Sequence, residues 1–317
     1  MARRLLTLLA ETPVHAGGAG AEGALDLPVQ REAATGLPVI WGQSLKGALR
    51  DEARGQNWEI AVFGDAPPSR EGNGANGVAE VSPDDPGGEL RKGGVAFGDA
   101  QLLAFPAATT RHTFAWTTSR LVLSRLGRKA GLLGTAVAAD LAGLVASLPP
   151  EASTLGGPRW QDTTVIGPFV DEVTSDRSIT AVGALLAALV CPNGSEFDYT
   201  RTKLTDDLLR LPDDVLSELT TLATDVVARV QLKPDAKTVA HGPFYAEHLP
   251  AETVLFAVLA GAEENLAHLA ELFDGRPIQL GGAETVGKGV LWCRVHDAAS
   301  LSDAIAAARS RSTSVGA

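Results

Sequence analysis

The chain has 317 residues, of which 45% are hydrophobic and 5% aromatic, and it carries a formal net charge of −11 at pH 7. A chain of this length and apolar content buries one large core or two smaller ones. It contains no apolar run of about 18 residues, no signal-peptide pattern, and only two cysteines, too few for a disulfide framework or a set of zinc ligands. These features exclude a transmembrane protein and a disulfide-stabilised secreted protein. They predict a globular cytoplasmic protein with no membrane partner.

The charges are segregated along the chain. Residues 100–139 contain no aspartate or glutamate but include Arg111, Arg120, Arg125, Arg128 and Lys129. Residues 206–225, in contrast, are crowded with acidic side chains. The negative total argues against nucleic-acid binding, whereas a localised basic face favours it, because phosphate binding needs clustered cations. The pattern leaves two interpretations open, a basic face for a polyanion and an ordinary solvated face.

The N-terminal part of the sequence predicts a strand that leads into a glycine-rich loop. The apolar run 5–10 has the length of a buried strand and ends before Pro13, which lacks a backbone donor. Four glycines then follow between His15 and Asp26. Glycine occurs where the backbone approaches a ligand closely or needs a positive φ, so this loop is a candidate binding loop.

A basic helix is predicted after the loop. The pattern over 45–54 is helical, and Ser44 precedes it in the position of an N-cap. Three cations recur at a spacing of four and are therefore expected to share one face: Lys46, Arg50 and Arg54. The helix N-terminus adds backbone N–H groups that favour an anion, so this helix is a candidate phosphate-binding element.

The central part of the chain is predicted to be largely helical after a long loop. Residues 64–94 are rich in glycine and proline and nearly lack large apolar residues, which indicates a flexible loop that is either disordered or ordered by a partner. The remaining patterns predict, in chain order, a strand over 94–105, a helix over 131–148, a strand over 163–173, a helix over 180–190 and a helical segment over 204–230 that breaks at Pro212.

A hairpin and a second group of strands and a helix complete the chain. Alternating residues on either side of a Pro-Asp turn predict a hairpin over 227–247, which is either a protruding element or part of the core. Strands are predicted over 253–260, 278–280 and 290–295, with an amphipathic helix over 262–273. Together with the N-terminal strand and helix, this order predicts an α+β fold. It consists of a ferredoxin-like (RRM-like) βαββαβ palm, an inserted helical region and the protruding hairpin.

The segment GGAETVGKG near the C-terminus has the spacing of a nucleotide-binding P-loop at Gly282, Gly287 and Lys288. Two features oppose nucleotide binding. Gly289 stands where a serine or threonine would hold magnesium, and a strand pattern follows where a P-loop needs a helix N-terminus. ATP or GTP binding is therefore not predicted.

Several motifs carry a resemblance to a known family. They are HAG, DLPVQRE, TGLPVI and GQSLKGALR in the N-terminal part, VAFGDAQLLAF and FAW in the middle, and YAEHLP and IQLGGAETVGKG towards the C-terminus. In combination they resemble the RAMP superfamily of CRISPR proteins, most closely the backbone subunits of type III-B (Cmr) effector complexes. The resemblance covers nearly the whole chain and implies a single RAMP domain over residues 1–317.

The resemblance implies a role in RNA-guided antiviral defence. Such a subunit binds the CRISPR guide RNA, polymerises head to tail with other copies of itself, joins other Cmr subunits and cuts target single-stranded RNA at regular intervals. The hairpin over 227–247 would be the thumb that wedges between guide and target strands. The glycine-rich segment would contact the RNA backbone through N–H groups of Gly281, Gly282 and Gly287 and the charge of Lys288. The other candidate RNA contacts are Arg31, Lys46, Arg50, Arg54, Arg111 and Arg120.

The same resemblance points to Asp26 as the catalytic residue, because the aspartate in this DLP context is required for target cleavage in the family. RNA is cut when a ribose 2′-OH attacks its own phosphate, and a carboxylate with a hydrated Mg²⁺ or Mn²⁺ removes the proton and neutralises charge. Asp26 is therefore predicted to be catalytic and to bind the metal; the alternative is an Asx turn before Pro28. His15, Tyr245 and Glu247 are further catalytic candidates, with a structural or RNA-contacting role as the alternative.

Other functions stay open from the sequence. One is a non-catalytic RNA-binding scaffold of a type III-A or III-B effector. Another is a standalone ribonuclease of the same superfamily that processes precursor RNA by histidine acid–base catalysis. The absence of a second plausible catalytic histidine near His15 argues against the standalone ribonuclease.

Overall fold

A computed structural model describes residues 1–65, 90–149, 153–233, 235 and 238–314, except residues 19, 22 and 24. The strands β1 to β14 in these ranges are Ala2–Ala10, Val39–Ile40, Val95–Phe97, Ala100–Ala108, Phe114–Ser119, Thr154–Gly156, Asp162–Ile166, Phe169–Ser175, Leu208–Leu211, Asp225–Leu232, Val239–His248, Val254–Gly261, Pro277–Gln279 and Val290–His296. The helices α1 to α9 are Gly42–Glu52, Glu59–Phe63, Arg120–Ala130, Thr135–Ala146, Arg177–Val190, Asp198–Asp206, Asp213–Leu222, Glu263–Phe273 and Ala298–Ser314. None of the helices in the described ranges is long and apolar enough to cross a membrane.

Most of these strands form one large mixed sheet. Its order is β13-β14-β1-β12-β4-β5-β9-β6-β8-β7, with β2 paired to β4 and β3 to β12. The neighbours β14, β1, β12 and β4 are antiparallel, whereas β5 runs parallel to β9 and β6 parallel to β8. The N-terminal and C-terminal parts of the chain therefore meet in one half of the sheet. Most of the chain between β4 and β10 builds the other half.

The central strand β1 is apolar on both faces because both faces of the sheet are covered. Leu5 and Leu9 belong to one buried cluster, which includes residues of α5 and α9. Leu6 and Leu8 belong to a second cluster, formed with α1 and α8. Successive side chains of a strand point to opposite faces, so a strand covered on both faces needs a continuous apolar run. Each fully buried leucine contributes about 2 kcal/mol from apolar burial.

The inserted region contains strands as well as helices, which corrects the sequence prediction. The segment predicted as helical over 204–230 contains only the end of α6, then β9, α7 and part of β10. Strand β9 is the short run LLRL, buried throughout and paired between β5 and β6. The strand predicted over 163–173 is the hairpin of β7 and β8. Pairing of short buried runs with neighbouring strands overrides a local helical pattern, which a single sequence does not reveal.

The basic helix α1 begins earlier and ends earlier than its pattern predicted. Its first residue is Gly42, and the N-cap residue is Trp41, which makes no side-chain hydrogen bond to the helix. Ser44 therefore lies inside the first turn and is not the cap. The helix ends at Glu52, so Arg54 follows its last turn and does not continue the predicted helical face.

The strands β10 and β11 form a separate two-stranded sheet in the region of the predicted hairpin. The pairing extends from Asp225 with His248 to Leu232 with Val239. Large apolar side chains of both strands are exposed: Val226, Val227, Val230, Val239 and Phe244. Because a two-stranded hairpin with exposed apolar residues gains little from packing within its own chain, this surface is typical of an element that contacts another molecule.

Residues 66–89 of the predicted flexible loop over 64–94 lie outside the described residues. The two ends of that segment lie together. Gly64 forms a β-bridge with Lys92, and the guanidinium of Arg91 binds the carboxylate of Asp65 at 2.9 Å. Hydrogen bonds from Arg91 hold the pKa of Asp65 below its ordinary value. The residues on either side of 66–89 therefore contact each other at the end of α2.

The buried carboxyl group of Glu252, between β11 and β12, is expected to make the free energy of unfolding depend on pH. Burial, reinforced by the nearby carboxylate of Glu11, raises the pKa of Glu252 from 4.5 to about 7. The contribution of this group to stability is therefore greatest below its unfolded pKa and is lost as the pH rises towards 7. We expect Glu252→Gln to remove this loss and to raise the free energy of unfolding at pH 8 by about 2 kcal/mol. Urea denaturation at pH 5 and pH 8 measures the effect, and an equal pH dependence in both proteins would contradict it.

Candidate active site

The outer edge of β11 positions the predicted catalytic aspartate. One edge of β11 pairs with β10, and the DLP segment lies along the other. The backbone N–H groups of Asp26 and Leu27 donate to the carbonyl oxygen of Tyr245 at 3.1 Å, and Glu247 N–H donates to the Leu27 carbonyl at 2.9 Å. The Asp26 carboxylate accepts a hydrogen bond from Tyr245 N–H at 2.8 Å. Asp26 is therefore exposed but fixed to β11, and its carboxylate bonds to that strand instead of closing an Asx turn.

His15 contacts the same edge of β11. Its Nδ1 atom lies 2.7 Å from the carbonyl oxygen of Glu247. Because a carbonyl oxygen only accepts, Nδ1 carries the hydrogen, and Nε2 of the neutral ring is an acceptor. The contact points of His15 and Asp26 on β11 are two residues apart, which corresponds to about 7 Å along a strand. Gly17 keeps the space beside Nε2 open, since a Cβ there would approach that atom to 3.2 Å.

Glu247 and Arg31 form a buried pair beneath the DLP segment. The Glu247 side chain is 2% exposed, and its Oε1 atom accepts from Arg31 Nη2 at 2.5 Å. The same carboxylate accepts from Thr224 Oγ1 at 2.9 Å and from the backbone N–H of Val29 at 2.9 Å. Arg31 also donates to the carbonyl of Gly36 at 3.0 Å. The structure thus places both charges inside the protein, where they hold the loop that carries Asp26.

The donor atoms at this edge determine what kind of metal site is possible. The described residues contain no group of three or more His, Cys, Asp or Glu side chains that could hold a metal ion. Asp26 supplies one exposed carboxylate, while the Glu247 carboxylate is occupied by Arg31. A single carboxylate fits a Mg²⁺ or Mn²⁺ ion that is held mainly by substrate phosphate oxygens and water, and it does not fit an ion caged by protein. Tyr245, whose backbone N–H bonds to this carboxylate, has an exposed side chain.

The glycine-rich C-terminal loop packs against the segment that carries His15. Gly282 N–H donates to the carbonyl of His15 at 2.9 Å, and Gly287 N–H donates to the carbonyl of Glu284 at 2.8 Å. These two amides are therefore occupied within the protein, unlike in the sequence prediction. Gly281 has a φ of +92°, and a Cβ there would lie 2.5 Å from the His15 carbonyl oxygen, so only glycine fits. The loop thus sets the position of His15, and its contact with RNA stays a prediction.

The three cations predicted on one face of α1 differ in whether a neighbouring group already binds them. Arg50 binds the carboxylate of Glu59 at 3.3 Å and the carbonyl of Gly64 at 3.0 Å. Arg54 lies past the end of the helix and pairs with Asp51. Lys46 is half-buried, and within the described part of the chain no carboxylate lies within 4 Å of its ammonium group. Lys46 is therefore the cation of this helix that is best placed to contact an anion.

The basic stretch 100–139 does not form one uniform face. Arg111 is exposed and donates to the carbonyl of Gln161 at 3.4 Å, whereas Arg120 begins α3. Arg125 is neutralised by Glu32 at 2.7 Å. Burial raises the pKa of Glu32, but hydrogen bonds from Thr35 and Arg125 outweigh it and hold that pKa below its ordinary value. No hydrogen bond or ion pair recorded for the described residues joins Arg111 or Arg120 to the DLP segment, so their contact with RNA stays a prediction.

A second histidine lies beside His15, which corrects the expectation from the sequence. The ring centroids of His15 and His248 are 5.4 Å apart. Nε2 of His248 accepts a hydrogen bond from Nη2 of Arg229 at 3.3 Å. The signal in the sequence was the position of His248 directly after Glu247, within the YAEHLP motif. His15 and His248 are far apart in the chain, and only the pairing of β11 with the N-terminal segment brings them together.

The sheet and the site on the edge of β11 place the chain among mixed α/β proteins with an inserted region and a separate hairpin. A model of the RAMP superfamily matches residues 7–292. The match covers most of the chain. The chain therefore belongs to the RAMP superfamily, as its sequence motifs predicted.

Individual relatives agree with this assignment. The CRISPR system Cmr endoribonuclease Cmr4 of Pyrococcus furiosus is 29% identical over 312 residues, which cover 90% of this chain and 92% of that protein. The crystal structure of oligomeric Cmr4 from Pyrococcus furiosus has a TM-score of 0.67 at 25% identity and covers 94% of this chain and 99% of its own. A chain of the type III-B Cmr-beta complex bound to cognate target RNA shares the fold, with a TM-score of 0.70 at 20% identity over 96% of this chain and 99% of its own. The resemblance to type III-B backbone subunits is confirmed.

Proposed function

We propose that this chain is a backbone subunit of a type III-B CRISPR effector that binds guide RNA and cleaves complementary target RNA at the outer edge of β11. The observation that carries the proposal is the meeting of Asp26, His15 and Tyr245 along that edge, with Asp26 exposed and fixed by Tyr245 N–H at 2.8 Å. The relative of 29% identity, which is named an endoribonuclease, supports the same function.

The proposed reaction uses the target's own ribose. Asp26 accepts the proton of the 2′-OH, the O2′–P bond forms and the P–O5′ bond breaks, and the departing 5′-oxygen takes a proton from solvent. When both of its ring nitrogens are protonated, His15 donates a hydrogen bond to a phosphate oxygen from Nε2, the nitrogen that does not face Glu247. Asp26 would hold a Mg²⁺ or Mn²⁺ ion, which would supply positive charge beside the phosphate. With few charged groups at the site, positioning of the RNA strand provides much of the rate.

The proposed assembly is a filament along the guide. Copies of the chain would associate head to tail, because a repeating heterologous interface generates a filament, and other Cmr subunits would join it. The oligomeric crystal structure of a relative supports self-association. The exposed apolar hairpin β10–β11 would be the thumb between guide and target strands. The order β14-β1-β12-β4, with antiparallel neighbours, supports a ferredoxin-like palm with α1 and α8 as its helices.

A non-catalytic scaffold is the second candidate, favoured by the lack of a three-ligand metal group among the described residues. The experiment that separates the two uses the complex reconstituted with guide RNA and a labelled complementary RNA. We expect regularly spaced cuts with Mg²⁺ or Mn²⁺ and none after chelation, with cutting restored when the metal is added back. Tight target binding without cuts in the presence of metal would establish the scaffold instead.

A further inference from the structure

Arg229 and His15 both contact His248 beside the candidate site. Nη2 of Arg229 donates to Nε2 of His248 at 3.3 Å, and the His248 ring contacts the ring of His15. Because a guanidinium only donates, Nε2 of His248 is an acceptor and the ring is neutral. His248 is completely buried. Burial lowers the pKa of His248, and interactions with His15, Arg229 and Lys288 lower it further.

This hydrogen bond fixes the direction of the Arg229 side chain. Arg229 pairs with Phe244 across the hairpin, so the two side chains lie on the same face of it. His248 follows Phe244 by four residues in β11 and therefore lies on that face as well. The guanidinium therefore lies along β11 between Phe244 and His248. Asp26 is bonded to Tyr245, which directly follows Phe244. The Arg229 guanidinium and the Asp26 carboxylate thus flank the same short stretch of β11.

The positive charge of Arg229 is not compensated by a neighbouring acid. Within the described ranges, no carboxylate oxygen lies within 4 Å of its guanidinium, including that of Asp225, which faces His248 across the hairpin. Arg31, in contrast, is neutralised by Glu247. An uncompensated cation in a protein of net charge −11 marks a local site that attracts an anion.

We propose that Arg229 is a further catalytic residue, which contacts the scissile phosphate of the target RNA and stabilises its developing charge, and that His248 is the positioning residue that holds the guanidinium. This inference rests on the proposed function. A guanidinium offers two parallel N–H groups to a phosphate. One preorganised donor aimed at developing charge is worth about 100-fold in rate. His248 keeps the guanidinium in that orientation before the RNA binds.

The first test removes the charge of Arg229 in the full complex with guide RNA and saturating labelled target. We expect Arg229→Gln to lower the single-turnover cleavage rate constant about 100-fold and to change the target Kd by less than about threefold. Arg229→Lys keeps the positive charge but lacks the two parallel N–H groups of the guanidinium. It is expected to give an intermediate rate. Arg276→Gln, which removes an exposed arginine before β13, is the matched control with a wild-type rate. A wild-type rate for Arg229→Gln, or a loss confined to Kd, would overturn the proposal.

The second test examines how His248 acts. His248→Gln keeps an acceptor for the guanidinium and is expected to cleave within about threefold of wild type, whereas His248→Leu is expected to lose about 30-fold in rate. Combining His248→Leu with Arg229→Gln is expected to cost no more than Arg229→Gln alone, because residues that act as a unit are not additive. Losses that multiply in the double variant would show an independent role for His248 and would refute positioning.

The Asp26→Asn variant distinguishes a failure of this inference from a failure of the proposed function. Loss of cleavage in both Asp26→Asn and Arg229→Gln supports both. An inactive Asp26→Asn complex together with a fully active Arg229→Gln complex removes the role of Arg229 and leaves the proposed function intact. A wild-type complex that binds target without cutting it removes the proposed function, and the catalytic role of Arg229 with it.

Discussion

Replacing Asp26 with asparagine is expected to lower target cleavage about 1000-fold, because the amide cannot accept the 2′-OH proton or hold a divalent cation. Asparagine keeps an oxygen that accepts the hydrogen bond from Tyr245 N–H, which lies at 2.8 Å in the wild type. The DLP segment should therefore stay on β11, and target binding should change little. Single-turnover cleavage and gel-shift titration of the assembled complex measure the two quantities separately.

The control for this variant is Glu264→Gln, which removes an exposed carboxylate from the first turn of α8. It is expected to cleave at the wild-type rate. Full cleavage by the Asp26→Asn complex would show that this carboxylate has no catalytic role and would return it to a structural one. Loss of target binding in the same variant would instead show that Asp26 acts in RNA recognition.

Glu247→Gln is expected to lower the free energy of unfolding by about 3 kcal/mol, because it leaves the largely buried Arg31 guanidinium without its counter-charge. The variant also weakens the hydrogen bond from Val29 N–H that holds the DLP segment. Cleavage should therefore fall about 100-fold, since small displacements of catalytic groups are costly. Urea denaturation of the isolated chain and single-turnover cleavage by the complex test the two effects.

A matched control shows whether the loss of stability in Glu247→Gln comes from the burial of the ion pair or from the removal of a negative charge alone. Glu263→Gln breaks an ion pair with Arg4 in which the glutamate side chain is 64% exposed, and it should cost less than about 1 kcal/mol. Adding Arg31→Met to Glu247→Gln is expected to recover part of the stability, because no unpaired buried cation remains. Equal losses for Glu247→Gln and Glu263→Gln would contradict a structural role of the buried pair.

The parts of the fold that follow from the sequence are those with strong local patterns. The apolar run 5–10 lies within β1, and the amphipathic pattern over 262–273 is α8 with nearly the same ends. In the inserted region, short runs such as β9 become strands only because β5 and β6 lie beside them. A single sequence does not contain that information, and the helical pattern over 204–230 was therefore misleading.

In the candidate site, too, the sequence predicts the residues that lie in local motifs but not the contacts between distant parts of the chain. Asp26, His15, Tyr245 and Glu247 are predicted as catalytic candidates from their motifs, and the structure brings all four to one edge of β11. The burial of Glu247 was not predictable, because its partner Arg31 lies 216 positions away. For the same reason, the hydrogen bonds that occupy the amides of the glycine-rich loop appear only in the folded chain.

The proposed site on the edge of β11 cleaves RNA through the target's own 2′-OH. The most direct test is a target RNA with a single 2′-deoxy nucleotide at one cut position, incubated with the wild-type complex and Mg²⁺ or Mn²⁺. We predict that this one cut disappears while the others persist, and that products of the unmodified target end in a 2′,3′-cyclic phosphate and a 5′-OH. Normal cutting at the 2′-deoxy position would contradict the claim, because an attacking water would then be the nucleophile.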